Sequence, residues 1–241
     1  MATSYNVKRS SAWEGPYEII ASGLTTTSYE ETYTGDKTYF YVVTALNSND
    51  ESSNSLRVSI NIDKFVYLKF DETEGNIAID SWSGLDGLLD GEADWTEGIS
   101  ANAVYLNGIN NSDVALPEGI MSEIKDFTIS TWVKLDEMTI WTRIFDFGSS
   151  TDTYMFLTPL SEEDTVRFAI KNGDDEQQIN GAYALSTGEW HHVAVTLSGT
   201  VGILYVEGVE VGRNSNMTLN PSNLGMTTQN WIGKSQWYST H

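Results

Sequence analysis

Aromatic rings and planar polar side chains recur together between residues 132 and 236 of this 241-residue chain. Tryptophan and tyrosine combine a flat apolar ring with a polar edge, which suits stacking against the C–H face of a sugar ring. Carboxylate, amide, imidazole and guanidinium groups exchange hydrogen bonds with sugar hydroxyls. The candidates of these types are Trp132, Trp141, Arg143, Asp146, Tyr154, His192 and Gln236. They predict a carbohydrate-binding surface without naming the sugar.

The two candidate tryptophans, Trp132 and Trp141, are expected to lie in different environments. Residues 127–135 alternate in polarity, as a half-buried β-strand does, with Phe127, Ile129 and Val133 on one face and Trp132 on the other. That polar face is consistent with two positions for Trp132, a concave ligand surface or a buried position beneath a loop. Trp141 follows a loop, so we expect it to be the more exposed of the two.

Arg143 and Asp146 share the motif RIFDFG at residues 143–148. Successive side chains of a strand point to opposite faces, so this spacing predicts that the two side chains do not meet. A buried carboxylate needs partners, and we expect Asp146 to find an Arg or His on the neighbouring strand. Two roles stay open for Asp146, as a member of a buried polar network or as a group that grips ligand hydroxyls.

Catalytic motifs are missing from the sequence. A glycosidase needs two carboxyl groups flanking the scissile bond, but 34 Asp and Glu residues make chance pairs plentiful. The chain contains no Gly-x-Ser-x-Gly elbow, no His-Glu-x-x-His and no phosphate-binding glycine loop. His191 and His192 are adjacent in a strand and point to opposite faces, so they cannot grip one metal ion together. We therefore predict no catalytic residues and no enzyme activity.

The formal charge of −21 narrows the range of partners. Such an acidic surface repels the phosphates of nucleic acids and the headgroups of anionic membranes. The sequence holds 0 cysteines, so disulfides and thiol chemistry are excluded. Neutral glycans and cations remain as ligands, and solubility alone also explains the charge.

Four period-two runs bounded by turn residues predict antiparallel strands. They are residues 127–135 (FTISTWVKL), 190–197 (WHHVAVTL), 202–212 (GILYVEGVEVG) and 230–236 (NWIGKSQ). Glu207 and Gly208 are typical of a two-residue hairpin turn. No amphipathic helix pattern is present, so we predict an all-β fold. In their order and amino-acid sequence, these runs resemble the LamG-like jelly roll, a concanavalin-type β-sandwich. The resemblance extends from about residue 65 to the C-terminus.

Residues 1–62 are expected to form a separate β unit. Residues 5–9, 17–20 and 38–46 alternate in polarity, with Tyr39, Tyr41 and Val43 on one face of the last run. The amino-acid sequence of this unit resembles a fibronectin type III domain from the third strand of that domain onward, which implies a partial sandwich. We predict domains at residues 1–62 and 64–241 that meet at Asp63 and Lys64. The fibronectin type III resemblance implies that strands of that family precede residue 1. The jelly-roll resemblance implies that a strand of that family follows residue 241.

The jelly-roll resemblance also implies a structural calcium ion beside the loop after the first strand. Calcium binds about 6–8 oxygen ligands in flexible geometry, which Asp-rich loops can provide. Asp71 and Asp80 are the ligands we predict, with Asp86 and Asp90 in the same loops. Solvated loop carboxylates are the alternative.

The resemblance implies a secreted, extracellular, non-catalytic accessory module of a bacterial polysaccharide-degrading enzyme. Such a module raises the effective concentration of a covalently linked catalytic domain at its substrate. The expected ligand is a plant cell-wall glycan such as arabinan or hemicellulose. The alternatives are a structural or adhesive spacer that has no sugar site, and a lectin-fold hydrolase, which would need two facing carboxylates in a cleft.

Overall fold

The computed structural model describes residues 2–12, 14–31, 39–48, 50–60, 65–109 and 111–237. The chain divides into two compact units, Met1–Phe65 and Val66–His241. The predicted boundary at Asp63 and Lys64 lies outside the described residues, so the predicted domain limits stay a prediction.

In the first unit, the part of the chain that the structure describes forms a four-stranded antiparallel sheet. Its strands are β1 (Ser4–Ser10), β2 (Glu18–Leu24), β3 (Tyr39–Leu46) and β4 (Val58–Ile60), in the order β2-β1-β3-β4. The predicted run at residues 38–46 corresponds to β3, apart from residue 38, which is outside the described part. Cross-strand pairs place Val7 opposite Val43 and Arg9 opposite Tyr41, so these side chains share a face as the alternation predicts.

The described residues of the second unit form fourteen strands, numbered on from the first unit. They are β5 (Ile77–Ala78), β6 (Gly87–Asp90), β7 (Asp94–Glu97), β8 (Asn102–Tyr105), β9 (Asp113–Leu116), β10 (Phe127–Lys134), β11 (Phe145–Ser150), β12 (Thr153–Thr158), β13 (Arg167–Asn172), β14 (Asp175–Asn180), β15 (Trp190–Ser198), β16 (Val201–Val206), β17 (Val209–Asn214) and β18 (Gln229–Ile232). A short 3-10 helix at Pro221–Leu224 precedes β18. The all-β prediction is confirmed, since no α-helix occurs among the described residues.

Two antiparallel sheets of this unit pack face to face as a β-sandwich. One has four strands in the order β10-β15-β16-β17, and the other has eight in the order β14-β13-β12-β11-β18-β9-β6-β5. Strands β7 and β8 form a separate hairpin. Neighbouring strands of each large sheet run antiparallel throughout.

The core lies between these two sheets. The eight-stranded sheet contributes Phe147, Met155 and Phe168, and the four-stranded sheet contributes Val195 and Leu204, all buried in one cluster. Burying each such side chain stabilises the fold by roughly 1.5–3 kcal/mol. The remaining face of each sheet points away from this core, and we call it the outer face of that sheet.

Strand predictions succeed where the alternation is regular. Strand β10 is half-buried at Phe127, Ile129 and Val133 and exposed at every second position between them, as predicted. Strands β16 and β17 are joined by Glu207 and Gly208, whose φ angles of 52° and 74° confirm the predicted hairpin turn. The predicted strand at 230–236 is shorter, because β18 ends at Ile232 and Gly233 follows with a φ of 84°.

Candidate functional site

The outer face of the eight-stranded sheet is built from side chains that alternate with the core positions. On β12, Met155 and Leu157 enter the core while Tyr154 and Phe156 lie on the outer face. Cross-strand pairing sets Phe156 opposite Asp146 of β11. Five predicted residues meet here, with two further aromatic residues. We call this group the Arg143 cluster, and its members are Trp141, Arg143, Asp146, Tyr154, Phe156, Gln236 and Trp237.

Arg143 and Asp146 form a buried ion pair at the centre of the cluster. Arg143 Nε donates to Asp146 Oδ2 at 3.0 Å, and the two side chains are 4% and 0% exposed. The backbone N–H of Gln236 donates to the same oxygen at 3.1 Å. Burial raises the pKa of Asp146 to about 6, although Arg143 and Gln236 act to lower it. Burial also lowers the pKa of Arg143, while Asp146 opposes that shift.

This ion pair corrects the prediction that the two side chains do not meet. Ile144 and Phe145 are consecutive, yet both enter the core, so the alternation is interrupted between them. Strand β11 begins at Phe145, and Arg143 therefore lies on the same side as Asp146. The expected partner on a neighbouring strand is thus replaced by a residue of the same segment.

Aromatic rings enclose the Arg143 guanidinium. Its central carbon lies 3.8 Å from the centroid of Phe156, 5.4 Å from that of Trp237 and 6.0 Å from that of Trp141. Distances below about 6 Å allow cation–π attraction, which is stronger when the cation is desolvated. The ring of Trp237 stands edge-on to Tyr154 at 5.0 Å and 70°. Trp237 therefore packs against both Tyr154 and the guanidinium.

Trp141 is held in an unusual backbone conformation. Its φ of 71° lies in the left-handed region, which a bulky residue rarely adopts. Two hydrogen bonds hold it there, from Trp141 N to Leu160 O at 2.9 Å and from Arg143 Nη1 to Trp141 O at 2.7 Å. Strain of this kind costs about 1–3 kcal/mol and clusters at functional sites. The conformation places the Trp141 ring edge-on to Phe156, with centroids 6.2 Å apart.

Two buried oxygens of the cluster have no hydrogen-bond donor among the described residues. They are Asp146 Oδ1 and Gln236 Oε1. Gln236 Nε2 donates to Gln229 O at 2.8 Å, which fixes the orientation of the amide. A buried polar atom without a partner costs about 1–3 kcal/mol. These atoms can accept hydrogen bonds from a ligand.

The rim of the cluster is polar. The hydroxyl of Tyr154 donates to Glu176 of β14, and Gln178 Nε2 donates to the other oxygen of that carboxylate. Burial raises the pKa of Tyr154, and Glu176 raises it further. The Tyr154 hydroxyl therefore stays protonated and remains a donor at ordinary pH.

Trp132 and His192 lie elsewhere, on the outer face of the four-stranded sheet. They are cross-strand partners on β10 and β15, and their ring centroids are 5.3 Å apart at 63°. Trp132 is 45% exposed, whereas Trp141 is half-buried, so the expected order of exposure is reversed. The core separates these two residues from the Arg143 cluster, and the seven candidates therefore form two groups rather than one.

The predicted calcium ligands do not converge. Within the described ranges, no three His, Asp or Glu side chains come together as a possible metal site. Both oxygens of Asp80 accept hydrogen bonds from the backbone N–H groups of Tyr67, Trp82, Ser83 and Leu85 at 2.7–3.1 Å, and Ser83 Oγ donates as well. Asp80 in this arrangement does not fit the role of a calcium ligand. Calcium at Asp71 and Asp80 stays a prediction that this geometry does not favour.

Two members of the cluster were missed by the sequence predictions. Phe156 lies two residues after Tyr154, and period-two alternation places it on the same face once the core positions are known. Trp237 follows the last strand, and its contact with Tyr154 joins distant parts of the chain. No local sequence pattern predicts that contact between Trp237 and Tyr154.

Comparison with protein families gives one match. The family described as the concanavalin A-like lectin/glucanases superfamily matches residues 107–241, which include the whole Arg143 cluster. No curated protein sequence matches the chain. Among the described residues, no helix has the length and apolar character to cross a bilayer.

Solved structures of similar fold include domain 4 of AbnA, a GH43 extracellular arabinanase from Geobacillus stearothermophilus, in complex with arabinotriose. It is 22% identical over 63% of this chain and 70% of that chain, with a TM-score of 0.53. An S-layer domain-containing protein from Clostridium thermocellum is 36% identical over 64% of this chain and 73% of its own, with a TM-score of 0.43. A sialidase CBM40 from Ruminococcus gnavus, bound to alpha2,3 sialyllactose, is 13% identical over 64% and 80%, with a TM-score of 0.46.

Proposed function

Because this chain belongs to the concanavalin A-like lectin/glucanase superfamily, we propose that its second unit is a non-catalytic carbohydrate-binding domain. The observation that carries the proposal is the Arg143 cluster, where aromatic rings surround a buried ion pair and two acceptor oxygens lack donors. Sugar sites combine ring stacking with a few fixed polar groups in the same way.

The cluster is suited to a ring-shaped polar ligand. Trp141 and Trp237 are half-buried, with ring centroids 6.0 and 5.4 Å from the central carbon of the Arg143 guanidinium, so parts of both rings are open to a ligand. Arg143 is fixed by Asp146 and by Trp141 O, and a ligand finds it already oriented. Asp146 Oδ1 and Gln236 Oε1 are buried, so a ligand that reaches them must displace a side chain that covers them.

The proposed ligand is a plant cell-wall glycan such as arabinan or hemicellulose. The arabinotriose bound by domain 4 of the Geobacillus stearothermophilus arabinanase makes arabinan the first glycan to test. In the complete protein, the domain would work outside the cell, linked to a catalytic domain that degrades the same polysaccharide. Weak binding then suffices, since linkage raises the effective substrate concentration.

For the first unit we propose a fibronectin type III-like sheet. Its strand order β2-β1-β3-β4 supports the proposal. In sandwiches of the immunoglobulin type, strands C, F and G are neighbours in one sheet. The same neighbour relation holds here if β1, β3 and β4 correspond to those strands.

The proposal is tested by titration calorimetry of the full chain with arabinotriose, xylotriose and galactotriose, together with sedimentation on insoluble arabinan and xylan. We expect saturable binding to at least one of them and no release of reducing sugar from the same polysaccharides. Failure to bind any glycan of a broad panel would favour the structural spacer. Sugar release that disappears when one pair of carboxylates is replaced would favour a hydrolase.

A further inference from the structure

The cations that lie over the outer face of the eight-stranded sheet already have carboxylate partners. Each has its charged group within 6 Å of an aromatic ring centroid of that face. The four ion pairs are Arg143–Asp146, Arg167–Glu163, Lys171–Asp152 and Lys234–Asp113. An anionic ligand would therefore meet a carboxylate beside each of these cations, which repels it and competes for the donors of the cation.

The unsatisfied groups of the same face are acceptors. Asp146 Oδ1 and Gln236 Oε1 are buried and have no donor among the described residues, while the two side chains are 0% and 5% exposed. They belong to neighbouring groups, since Gln236 N donates to the other oxygen of Asp146 at 3.1 Å. A ligand that satisfies them must bring hydrogen-bond donors.

Sugar hydroxyls donate and accept, whereas an ionised carboxylate only accepts. We propose that the Arg143 cluster selects uncharged sugars, whose hydroxyls donate to Asp146 Oδ1 and Gln236 Oε1, and discriminates against uronic and other acidic sugars. This inference rests on the proposed function and specifies its ligand class. A carboxylate in the same place would leave both oxygens unsatisfied and would lie beside the carboxylate of Asp146.

A matched pair of ligands separates charge from shape. Trigalacturonate and its fully methyl-esterified form share one backbone and differ in the ionised groups, and arabinotriose serves as a second neutral probe. Titration of the full chain at pH 7 should give at least about ten-fold tighter binding for the ester than for the acid, because the ester lacks the ionised groups that would lie beside the carboxylate of Asp146.

The net negative charge of the chain also repels trigalacturonate at long range. Measurements at high salt separate this long-range repulsion from the effect of direct contact in the cluster. At 1 M salt the screening length is about 3 Å, so long-range repulsion vanishes, and we expect the preference for the ester to persist. A preference that disappears at high salt overturns the contact explanation. Equal or tighter binding of trigalacturonate overturns the inference while the sugar-binding function stands. If the acid, the ester and arabinotriose all fail to bind, this inference falls, and the wider glycan panel decides whether the sugar-binding function falls with it.

A variant then tests the acceptors directly. Gln236→Met keeps the length of the side chain and removes Oε1, and we expect about ten-fold weaker binding of the neutral probes with little change for the acid. The variant also loses the hydrogen bond from Nε2 to Gln229 O, so we expect a small decrease in melting temperature, and a single cooperative unfolding transition shows that the fold is retained. Neutral affinity that is equal in the variant and the natural protein overturns the assignment of Gln236 as an acceptor for the ligand.

Discussion

Arg143 donates a hydrogen bond through Nε to Oδ2 of Asp146 at 3.0 Å, and neither side chain is more than 4% exposed. The pair lies on the outer face of the eight-stranded sheet, where the guanidinium also packs on Phe156 at 3.8 Å. Two opposite charges removed from water stabilise a fold only when each keeps the other as a partner. The pair therefore fixes the geometry of the cluster more than it adds to stability.

Removing one member of this pair should destabilise the protein strongly. We expect Arg143→Met and Asp146→Leu to lower the free energy of unfolding by roughly 3–5 kcal/mol each, because each leaves an unpaired buried charge. The double variant should lose much less than the sum. Urea unfolding followed by tryptophan fluorescence measures all three.

An exposed pair with the same sequence spacing serves as the control. Arg213 donates to Glu210 at 2.6–2.7 Å, and both side chains are more than 40% exposed. Arg213→Met should therefore change stability far less than Arg143→Met does. Additive losses in the Arg143 and Asp146 variants would show that the two side chains are not coupled.

Asp146 should give the protein a characteristic pH dependence. Burial raises its pKa to about 6, whereas an unfolded Asp titrates near 4. Between about pH 4 and pH 6 the folded state thus holds this proton more tightly, so the contribution of Asp146 to stability falls as the pH rises through that window.

The Asp146→Asn variant isolates this effect, because it lacks the titrating group and keeps all other carboxylates. We expect the unfolding free energy of the natural protein, minus that of the variant, to decrease from pH 4 to pH 7. Urea unfolding at four pH values measures it. A difference that increases with pH would mean that Asp146 is stabilised in its ionised form.

Asp80 should behave in the opposite way. Burial acts to raise its pKa, but hydrogen bonds from Ser83 and the backbone N–H groups of Tyr67 and Leu85 outweigh burial and lower the pKa to about 2. The stability that Asp80 contributes is present above about pH 4 and is lost as the pH falls from about 4 to 2. Asp80→Ala leaves several N–H groups without acceptors, and we expect it to cost roughly 3 kcal/mol or more near neutral pH.

The same variant tests the calcium prediction. If Asp80 only organises its loop, Asp80→Ala should lower the melting temperature equally in calcium and in EDTA. Asp90→Ala, at an exposed loop-edge carboxylate that accepts from Gly91 N at 2.8 Å, is the matched control and should change little. A calcium-dependent rise in melting temperature that only the Asp80 variant lacks would restore Asp80 as a metal ligand.

The sequence predicts the sandwich well because regular alternation reports which face of a strand is buried. Strand β10 follows the rule at each position, with burial at Phe127, Ile129 and Val133. The alternation rule fails for Arg143 and Asp146 because Ile144 and Phe145 both enter the core. One such irregularity makes the rule assign every residue before it to the wrong face of the sheet. Local pattern cannot reveal that interruption, which depends on how the segment joins β12.

Tertiary contacts decide the rest of the candidate site. Trp132 and Trp141 look alike in sequence, as single tryptophans among polar residues, but the fold places them on opposite sheets. Trp237 joins the cluster only because the chain after β18 returns across Tyr154. The Asp80 loop, in contrast, carries a readable signal, since Asp followed by Ser three residues on is typical of side chains that bind their own backbone.

The two tryptophans provide the sharpest test of where ligand binds. Trp141 belongs to the Arg143 cluster, and truncation of a central aromatic contact costs about 2 kcal/mol or more, equivalent to about 30-fold in affinity. We therefore expect Trp141→Ala to weaken the binding of arabinotriose by about that factor. Trp132→Ala removes a more exposed ring from the opposite sheet and should leave the affinity unchanged. Titration calorimetry measures both variants, and thermal unfolding confirms that each is folded. The opposite result, a loss with Trp132→Ala alone, would move the site to the outer face of the four-stranded sheet, beside His192.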